Sequence, residues 1–216
     1  LRLFNVQMAG QASWFLPMSL VGLVTGLVAR FRKPRTDLAR AAFVMWGVWL
    51  AVHAVVFSFM SGTIHSYYTV VMAPAIGALV GGGIVTLWSA RQERQWVGLV
   101  LAGTVAASAA TAWMILNQTP TFMPGLSTVD LLTGLALAVV LIVPTTILPK
   151  RLSGAAVALA LAVLLVGPMA YSIDTMKTAY AGGAVAAGPA TNGMGGGPGG
   201  IGGRLAGEAT VADLRG

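Results

Sequence analysis

An all-α fold, a polytopic membrane protein with about six transmembrane helices, is predicted by three features of this sequence. Charged residues make up 9% of its 216 residues, whereas they are about a quarter of an average soluble domain. The mean hydropathy is +0.81. The apolar residues are gathered in runs close to the length of about 20 residues that a helix needs to cross a bilayer. These runs predict spans near residues 14–29, 41–60, 70–88, 96–116, 131–148 and 153–173.

The amino-terminal residues 1–13 are too polar to span a membrane. Leu1, Phe4 and Met8 recur at helical spacing between polar residues, a pattern typical of a helix that lies on the membrane surface. Trp14 then opens the first span. Because tryptophan favours the headgroup region, we expect Trp14 at the membrane interface.

Small residues in the spans predict close helix packing. Gly22 and Gly26 form a GxxxG pair in the first span, residues 81–83 are three consecutive glycines in the third, and residues 106–110 of the fourth are alanine and serine. Side chains of this size let two helix backbones approach each other in a membrane. We therefore expect each of these faces to contact a neighbouring helix or a lipid tail.

Three spans also contain proline. Pro74 lies one turn into the third span, where the loss of a helix hydrogen bond favours a kink. We expect Pro144 inside the fifth span and Pro168 inside the sixth.

The net charge of +7 is distributed in short clusters between the spans. The loops after the first, third and fifth spans hold five, two and two Lys or Arg residues, among them Arg91 and Arg94, whereas the loops after the second and fourth spans hold none. The positive-inside rule therefore predicts that the basic loops are cytoplasmic and that the amino end, residues 61–69, residues 117–130 and the tail are extracytoplasmic. Because the clusters do not form one continuous basic face, we expect no nucleic-acid partner.

A change of composition divides the chain into two parts. Residues 1–180 hold all the predicted spans and form a transmembrane helical domain. Residues 181–216 are rich in glycine and cannot bury enough apolar surface to offset the entropy of ordering. We expect this tail to be a flexible, disordered extracytoplasmic linker.

The polar loop at residues 61–69 is the strongest candidate for a functional site. It carries His65, Tyr67 and Tyr68 at the predicted mouth of the helix bundle. Each of these side chains can donate a hydrogen bond to an anionic oxygen, such as that of a phosphate. The alternative is an aromatic belt, in which the tyrosines lie at the interface for purely amphipathic reasons. The residues alone leave both interpretations open.

Two further classes of protein remain open at this point. His53 is the one ionisable residue deep within a predicted span, which would suit a transporter, although we expect it to be a neutral histidine hydrogen-bonded to a neighbouring helix. A non-enzymatic membrane anchor or scaffold would also suit six helices followed by a linker. The chain has no cysteine and its two histidines are predicted to lie at different depths, so we assign neither a metal nor another cofactor.

A resemblance to a known family rests on three stretches of the sequence. They are LRLFNVQMAGQASWFLP at residues 1–17, the basic loop FRKPRTD at residues 31–37, and GTIHSYYTVVMAPAIGALVGGG at residues 62–83. In this order they resemble the actinobacterial membrane glycosyltransferases of glycosyltransferase family 39, relatives of the protein O-mannosyltransferases and of the aminoarabinose transferase that modifies lipid A. The resemblance is closest over residues 1–88. It departs from the family at Ser66, where proline is more common.

The resemblance implies an enzyme of the GT-C fold, which takes a sugar, here expected to be mannose-like, from a polyprenyl-phosphate donor and transfers it to an extracytoplasmic acceptor. The family's catalytic acidic pair lies in an outer loop near the amino terminus, and no such pair occurs in this sequence. We therefore expect the chain to be the carboxy-terminal half of the enzyme, inactive without the amino-terminal half and with no catalytic residue of its own. Asp130 and Asp174 are expected to be helix caps or surface residues.

The resemblance also implies roles for the candidate site residues. His65, Tyr67 and Tyr68 stand where the family's basic and tyrosine-bearing element meets the phosphate of the lipid carrier. Arg2 and Asn5, on the amino-terminal segment, are further candidates for the same phosphate or for the acceptor. The expected partners are the polyprenyl-phosphate-sugar donor, membrane lipid and the amino-terminal half of the same protein.

Overall fold

The computed structural model describes residues 2–6, 8–60, 65–144, 146–177 and 186–189. Over these ranges the chain forms α-helices and two short 3-10 helices, Arg2–Phe4 and Ser66–Met72, without a β-strand. The α-helices are α1 (Ala9–Ala12), α2 (Leu16–Ala29), α3 (Leu38–Phe59), α4 (Ala73–Glu93), α5 (Val97–Leu116), α6 (Leu126–Ile142), α7 (Lys150–Leu164) and α8 (Val166–Lys177). The all-α prediction is confirmed. The predicted glycine-rich tail, apart from residues 186–189, lies outside the described residues.

Helices long and apolar enough to cross a bilayer account for most of the predicted spans. Within the described ranges, four stretches meet both conditions: Leu38–Phe59, Ser66–Arg91, Val97–Leu116 and Arg151–Lys177. The helices α2 and α6 are apolar but shorter. The architecture is therefore that of a helical membrane protein, with a helical segment at each of the six predicted positions.

The fifth and sixth spans differ from their predicted form because of their prolines. The helix α6 runs from Leu126 to Ile142, so Pro144 lies beyond it rather than inside it. The residue before a proline disfavours the helical conformation, and Val143 has the extended angles φ −59° and ψ 127°. The sixth span is divided between α7 and α8. Pro168 lies in the first turn of α8, where it has no N–H to bond the carbonyl four residues earlier.

The close packing predicted for the small residues is confirmed at two helix pairs. A methyl group added to Gly83 of α4 would overlap the Cα of Gly22 in α2, so these two backbones touch. A methyl group on Gly134 of α6 would lie 2.7 Å from Cβ of Ala109 in α5. By contrast, a methyl group on Gly81 would meet nothing within 4 Å. Only part of the triple-glycine stretch is therefore needed for contact.

Trp14, which the sequence places at the entrance of the first span, is buried inside the bundle. Its side chain is 6% exposed, its Nε1 donates to the carbonyl of Gly10 at 2.9 Å, and its ring meets Tyr171 edge to face at 5.1 Å. A methyl group on Gly167 would overlap the ring. The ring is buried because the amino-terminal segment folds back over the bundle and brings Trp14 against α8.

Hydrogen bonds gather the loops into two groups at opposite ends of the bundle. At one end, Arg91 in the last turn of α4 bonds the carbonyls of Leu141 and Val143 at the end of α6. At the other end, Gln118 Nε2 bonds the Phe4 carbonyl at 3.0 Å. The three basic loops share the first end, which we call the basic end. The amino terminus and residues 65–72 and 117–125 share the opposite end.

The predicted position of Arg91 in a loop is wrong. The sequence suggested a loop residue, whereas Arg91 lies within α4 and is 1% exposed. It is buried because α4 continues to Glu93. The longer helix places the Arg91 guanidinium next to the carbonyls at the end of α6. A cation is stabilised there by the helix dipole.

Candidate functional site

The rings of His65, Tyr67 and Tyr68 form one cluster, which we call the aromatic cluster. His65 stacks on Tyr67 with the ring centroids 5.3 Å apart, and it meets Tyr68 edge to face at 5.7 Å. The two tyrosine rings are 4.7 Å apart, also edge to face. The structure thus brings together the three side chains that the sequence singled out.

The 3-10 helix Ser66–Met72 explains why these rings meet. In a 3-10 helix, residues three apart lie above one another, and the backbone N–H of Tyr68 donates to the carbonyl of His65 at 3.1 Å. The next turn is fixed by Thr69 Oγ1, which donates to the Ser66 carbonyl at 2.8 Å. His65 and Tyr68 are therefore held on the same side by the backbone itself.

The aromatic cluster faces outward from a fixed base. Tyr67 and Tyr68 are 41% and 43% exposed, whereas Ser66 and Thr69 are buried. The 3-10 helix is also anchored to α3, because Trp49 Nε1 donates to the Val71 carbonyl at 2.9 Å. Since these donors lie at the surface of an anchored turn, they can reach a ligand without a rearrangement of the backbone.

Arg2 lies at the C-terminal end of α3. Its Nη1 donates to the carbonyl of Met60, the residue that caps the C-terminus of α3. A cation in this position is stabilised by the negative end of the helix dipole. Residues 61–64, which separate Met60 from His65 along the chain, lie outside the described residues.

Asn5 closes a turn in the amino-terminal segment. Its Oδ1 accepts a hydrogen bond from the backbone N–H of Met8 at 3.1 Å, and its carbonyl accepts one from Ala9 N–H at 2.9 Å. Asparagine commonly stabilises turns in this way. The contact with Met8 gives Asn5 a structural role, which the sequence did not reveal.

The amino-terminal segment and the 3-10 helix share one apolar core. Leu3, Ala12 and Met72 are buried in the same cluster, together with Phe57 of α3. Arg2 and Asn5 therefore lie at the same end of the bundle as the aromatic cluster. The side chain of Arg2 is held by the Met60 carbonyl, and that of Asn5 by the Met8 N–H.

Asp130 is a buried acid at this same end that the sequence analysis assigned wrongly. It is neither a helix cap nor a surface residue, because it lies inside α6 and is 3% exposed. Both carboxylate oxygens lack a hydrogen-bond partner among the described residues. The prediction failed because α6 begins at Leu126, which turns Asp130 into the bundle. Asp174 lies within α8 and is half-buried, so it remains partly at the surface.

His53 has a different partner from the one predicted. Its Nδ1 is 2.7 Å from the carbonyl of Trp49, which belongs to the same helix rather than to a neighbouring one. The ring lies between those of Trp49 and Phe57, at centroid distances of 4.9 and 6.3 Å. A histidine four residues after a helical carbonyl can bond it directly, so no second helix is required.

Two curated relatives match about half of the chain. Both are Bacillus subtilis (strain 168) proteins that carry the name "putative mannosyltransferase", YycA and YkcB. The chain is 34% identical to YycA over 119 residues and 34% identical to YkcB over 120 residues, which cover 54% and 55% of this chain. The matches cover 17% of each relative, so the chain spans a small part of their length.

The other two comparisons give no match. No family model matches the chain, and no solved structure matches it. The apolar helices indicate a helical membrane protein, and over about half of its length the chain is similar to two proteins named "putative mannosyltransferase".

Proposed function

We propose that this chain is the carboxy-terminal membrane part of a GT-C glycosyltransferase of family 39, of the actinobacterial type. The whole enzyme transfers a mannose-like sugar from a polyprenyl-phosphate donor to an extracytoplasmic acceptor. The catalytic acids belong to its amino-terminal half, so the chain alone is inactive. The observation that carries this proposal is the outward-facing aromatic cluster, at one end of a membrane bundle that is similar to proteins named "putative mannosyltransferase".

In this proposal the aromatic cluster holds the phosphate of the donor. When the bond from the sugar to the phosphate breaks, negative charge grows on the phosphate that leaves. The hydroxyls of Tyr67 and Tyr68 and a ring N–H of His65 are hydrogen-bond donors that could face this charge. Donors that are already in place stabilise such charge without reorganisation. Because the 3-10 backbone fixes the rings, the cluster is suited to that role.

The amino-terminal segment supplies the other proposed contacts. Arg2 brings a permanent positive charge to the end of α3, and its bond to Met60 holds that charge at the end of the bundle that carries the aromatic cluster. Its remaining N–H groups could bind the phosphate or the acceptor. Asn5 positions the turn that carries Arg2, and its side-chain amide is a further candidate donor.

The orientation of the bundle is part of the same proposal. We place the end with the aromatic cluster outside the cytoplasm, because the basic loops lie at the opposite end and positive charge is retained on the cytoplasmic side. The donor phosphate would then be met at the outer surface, where an extracytoplasmic acceptor is available.

The test is a sugar-transfer assay in membranes that contain the full-length protein. Radiolabelled polyprenyl-phosphate-mannose is the donor, and wild type is compared with His65→Ala and Tyr68→Phe at equal levels of inserted protein. Loss of one hydrogen bond to a charged phosphate is expected to lower transfer by about 10- to 100-fold. Tyr171→Phe is the matched control, because it removes a hydroxyl that bonds Thr119 away from the aromatic cluster; it should leave transfer near wild type.

Two results would contradict the proposal in different ways. If His65→Ala and Tyr68→Phe transfer sugar as well as wild type, the aromatic cluster is an interfacial belt and not a donor site. If wild type transfers no sugar from any prenyl-phosphate donor, the proposed activity is wrong, and a transporter or an anchor becomes the better hypothesis.

A further inference from the structure

A groove of about 800 Å³ lies between α2, α4 and α5, on the half of the bundle that leads to the basic end. Leu20, Val24 and Val28 of α2 form one wall, with Ala90 of α4 and Val100 of α5 across from them. We call it the leaflet groove. Its walls are mainly apolar, and Val24 is 59% exposed. In a membrane, such a surface is open to lipid.

The length of the leaflet groove matches one leaflet of a bilayer. It follows α2 from Leu20 to Ala29, which is about 14 Å of helix axis at 1.5 Å per residue. The hydrocarbon core of a bilayer is about 30 Å thick, so one leaflet contributes about half of that. The groove therefore has room for an acyl chain that runs from the membrane centre to its surface.

The mouth of the leaflet groove is suited to an anionic headgroup. Arg94 and Trp96 line it, and Trp96 is 58% exposed, as expected for an indole at the headgroup level. Glu93 also lines the mouth and opposes the charge of Arg94. The net charge near the mouth is determined by residues 30–40, which begin directly after Ala29 and hold five Lys or Arg residues and one acidic residue. The charge around the mouth is thus clearly positive.

We propose that the leaflet groove binds one anionic phospholipid of the leaflet at the basic end. An acyl chain lies along Val24 and Val28, and the phosphate lies by Arg94. The lipid fills a space between α2 and α5 that none of the described side chains occupies. This site is at the opposite end of the bundle from the aromatic cluster, and it does not depend on the proposed sugar transfer.

The test is native mass spectrometry of the full-length protein after delipidation. The probe is an equal mixture of phosphatidylglycerol and phosphatidylcholine with the same acyl chains. Wild type should retain one phosphatidylglycerol with a preference of about tenfold or more. Loss of one basic side chain near an anionic headgroup weakens attraction enough that Arg94→Gln should reduce this preference about fivefold. Arg151→Gln, an exposed basic residue at the start of α7, should not.

A second pair of variants tests the groove itself. Val24→Trp fills the groove and should abolish the retained lipid. Val48→Trp is the matched control, since Val48 is 58% exposed on α3 and does not line the groove; it should retain the lipid. Retention by both variants, loss by both, or equal binding of the two phospholipids by wild type would overturn the proposal.

A crosslinking experiment separates lipid from protein as the occupant. Residues 1–216 contain no cysteine, so Val24→Cys gives a single site for a benzophenone maleimide once any cysteine elsewhere in the full-length protein is replaced by serine. Irradiation in membranes should give a mass increase equal to one phospholipid. An adduct with a polypeptide segment instead would show that protein covers the groove, and the lipid site would be rejected.

Discussion

Arg91 Nη2 donates to the carbonyl oxygen of Leu141 at 2.9 Å and so joins the last turn of α4 to the last turn of α6. The same nitrogen is 2.8 Å from the Val143 carbonyl. These carbonyls have no partner within their own helix. Nη1 is buried and has no partner among the described residues, so the bonds of Nη2 are what offset the burial of the guanidinium.

Replacement of Arg91 should therefore destabilise the bundle. Hydrogen bonds to a charged donor contribute about 1.5–3 kcal/mol each, so we expect Arg91→Gln to lower the free energy of unfolding by about 2 kcal/mol or more. Thermal unfolding in detergent would measure this. Arg151→Gln is the control, because Arg151 is exposed; an equal loss in both variants would show that the Arg91 contacts contribute nothing.

The glycines of α4 offer a matched pair of substitutions. In Gly83→Ala the new methyl group overlaps Gly22 of α2, so two helix backbones must separate. Overpacking of this kind costs about 1–3 kcal/mol. Gly81→Ala meets nothing within 4 Å, and alanine is favoured over glycine in a helix by about 1 kcal/mol.

We thus expect opposite shifts in melting temperature from the same chemical change, two positions apart. Gly83→Ala should melt below wild type and Gly81→Ala at or above it. If both variants melt alike, α2 and α4 do not meet at Gly22 and Gly83 in the membrane.

We expect the buried carboxyl group of Asp130 to destabilise the folded protein. A buried carboxyl group without hydrogen bonds carries a desolvation penalty. Its replacement by an apolar side chain of similar size can therefore be neutral or stabilising. We expect Asp130→Leu to raise the melting temperature of the full-length protein. A fall would show that Asp130 has a partner there. Loss of sugar transfer by a stably folded Asp130→Asn would place that partner in the active enzyme.

The contribution of Asp37 to stability should depend on pH. The backbone N–H of Arg40, which donates to Asp37 Oδ1 at 2.7 Å, lowers the pKa of this carboxyl below its ordinary 3.8, and Arg30 at 3.2 Å lowers it further. A lowered pKa means that the stabilisation is complete above the unfolded pKa and is lost as the pH falls through the folded one.

Asn is an equally good helix N-cap, so Asp37→Asn removes mainly the charge. Wild type should melt above this variant at pH 6, and the difference should shrink as the pH falls below about 4. A difference that stays constant from pH 6 to pH 3 would mean that the charge of Asp37 does not stabilise the fold.

Features that depend on hydropathy along the sequence could be predicted, and features that depend on distant helices could not. Span positions depend on hydropathy along the chain, so they could be predicted. The 3-10 turn that brings the rings of His65 and Tyr68 together was not predicted, because the sequence indicated only a polar loop there. Trp14, Arg91 and Asp130 behave differently because their surroundings come from distant helices. A tryptophan at a span entrance looks exposed until α8 is packed against it. An arginine near a helix end looks solvated until the carbonyls of α6 are placed beside it.

The side of the membrane on which the aromatic cluster lies can be measured with single cysteines, because residues 1–216 contain none and any cysteine elsewhere in the full-length protein can be replaced by serine. Met123 is exposed at the end with the aromatic cluster, and Thr36 is exposed at the basic end. Because basic loops are retained in the cytoplasm, a membrane-impermeant maleimide should label Met123→Cys on intact cells and should label Thr36→Cys only after permeabilisation. The reverse pattern would place the aromatic cluster in the cytoplasm. A donor phosphate bound by His65 and Tyr68 would then be on the wrong side for an extracytoplasmic acceptor, and the proposed reaction would have to be abandoned even if the leaflet groove binds lipid.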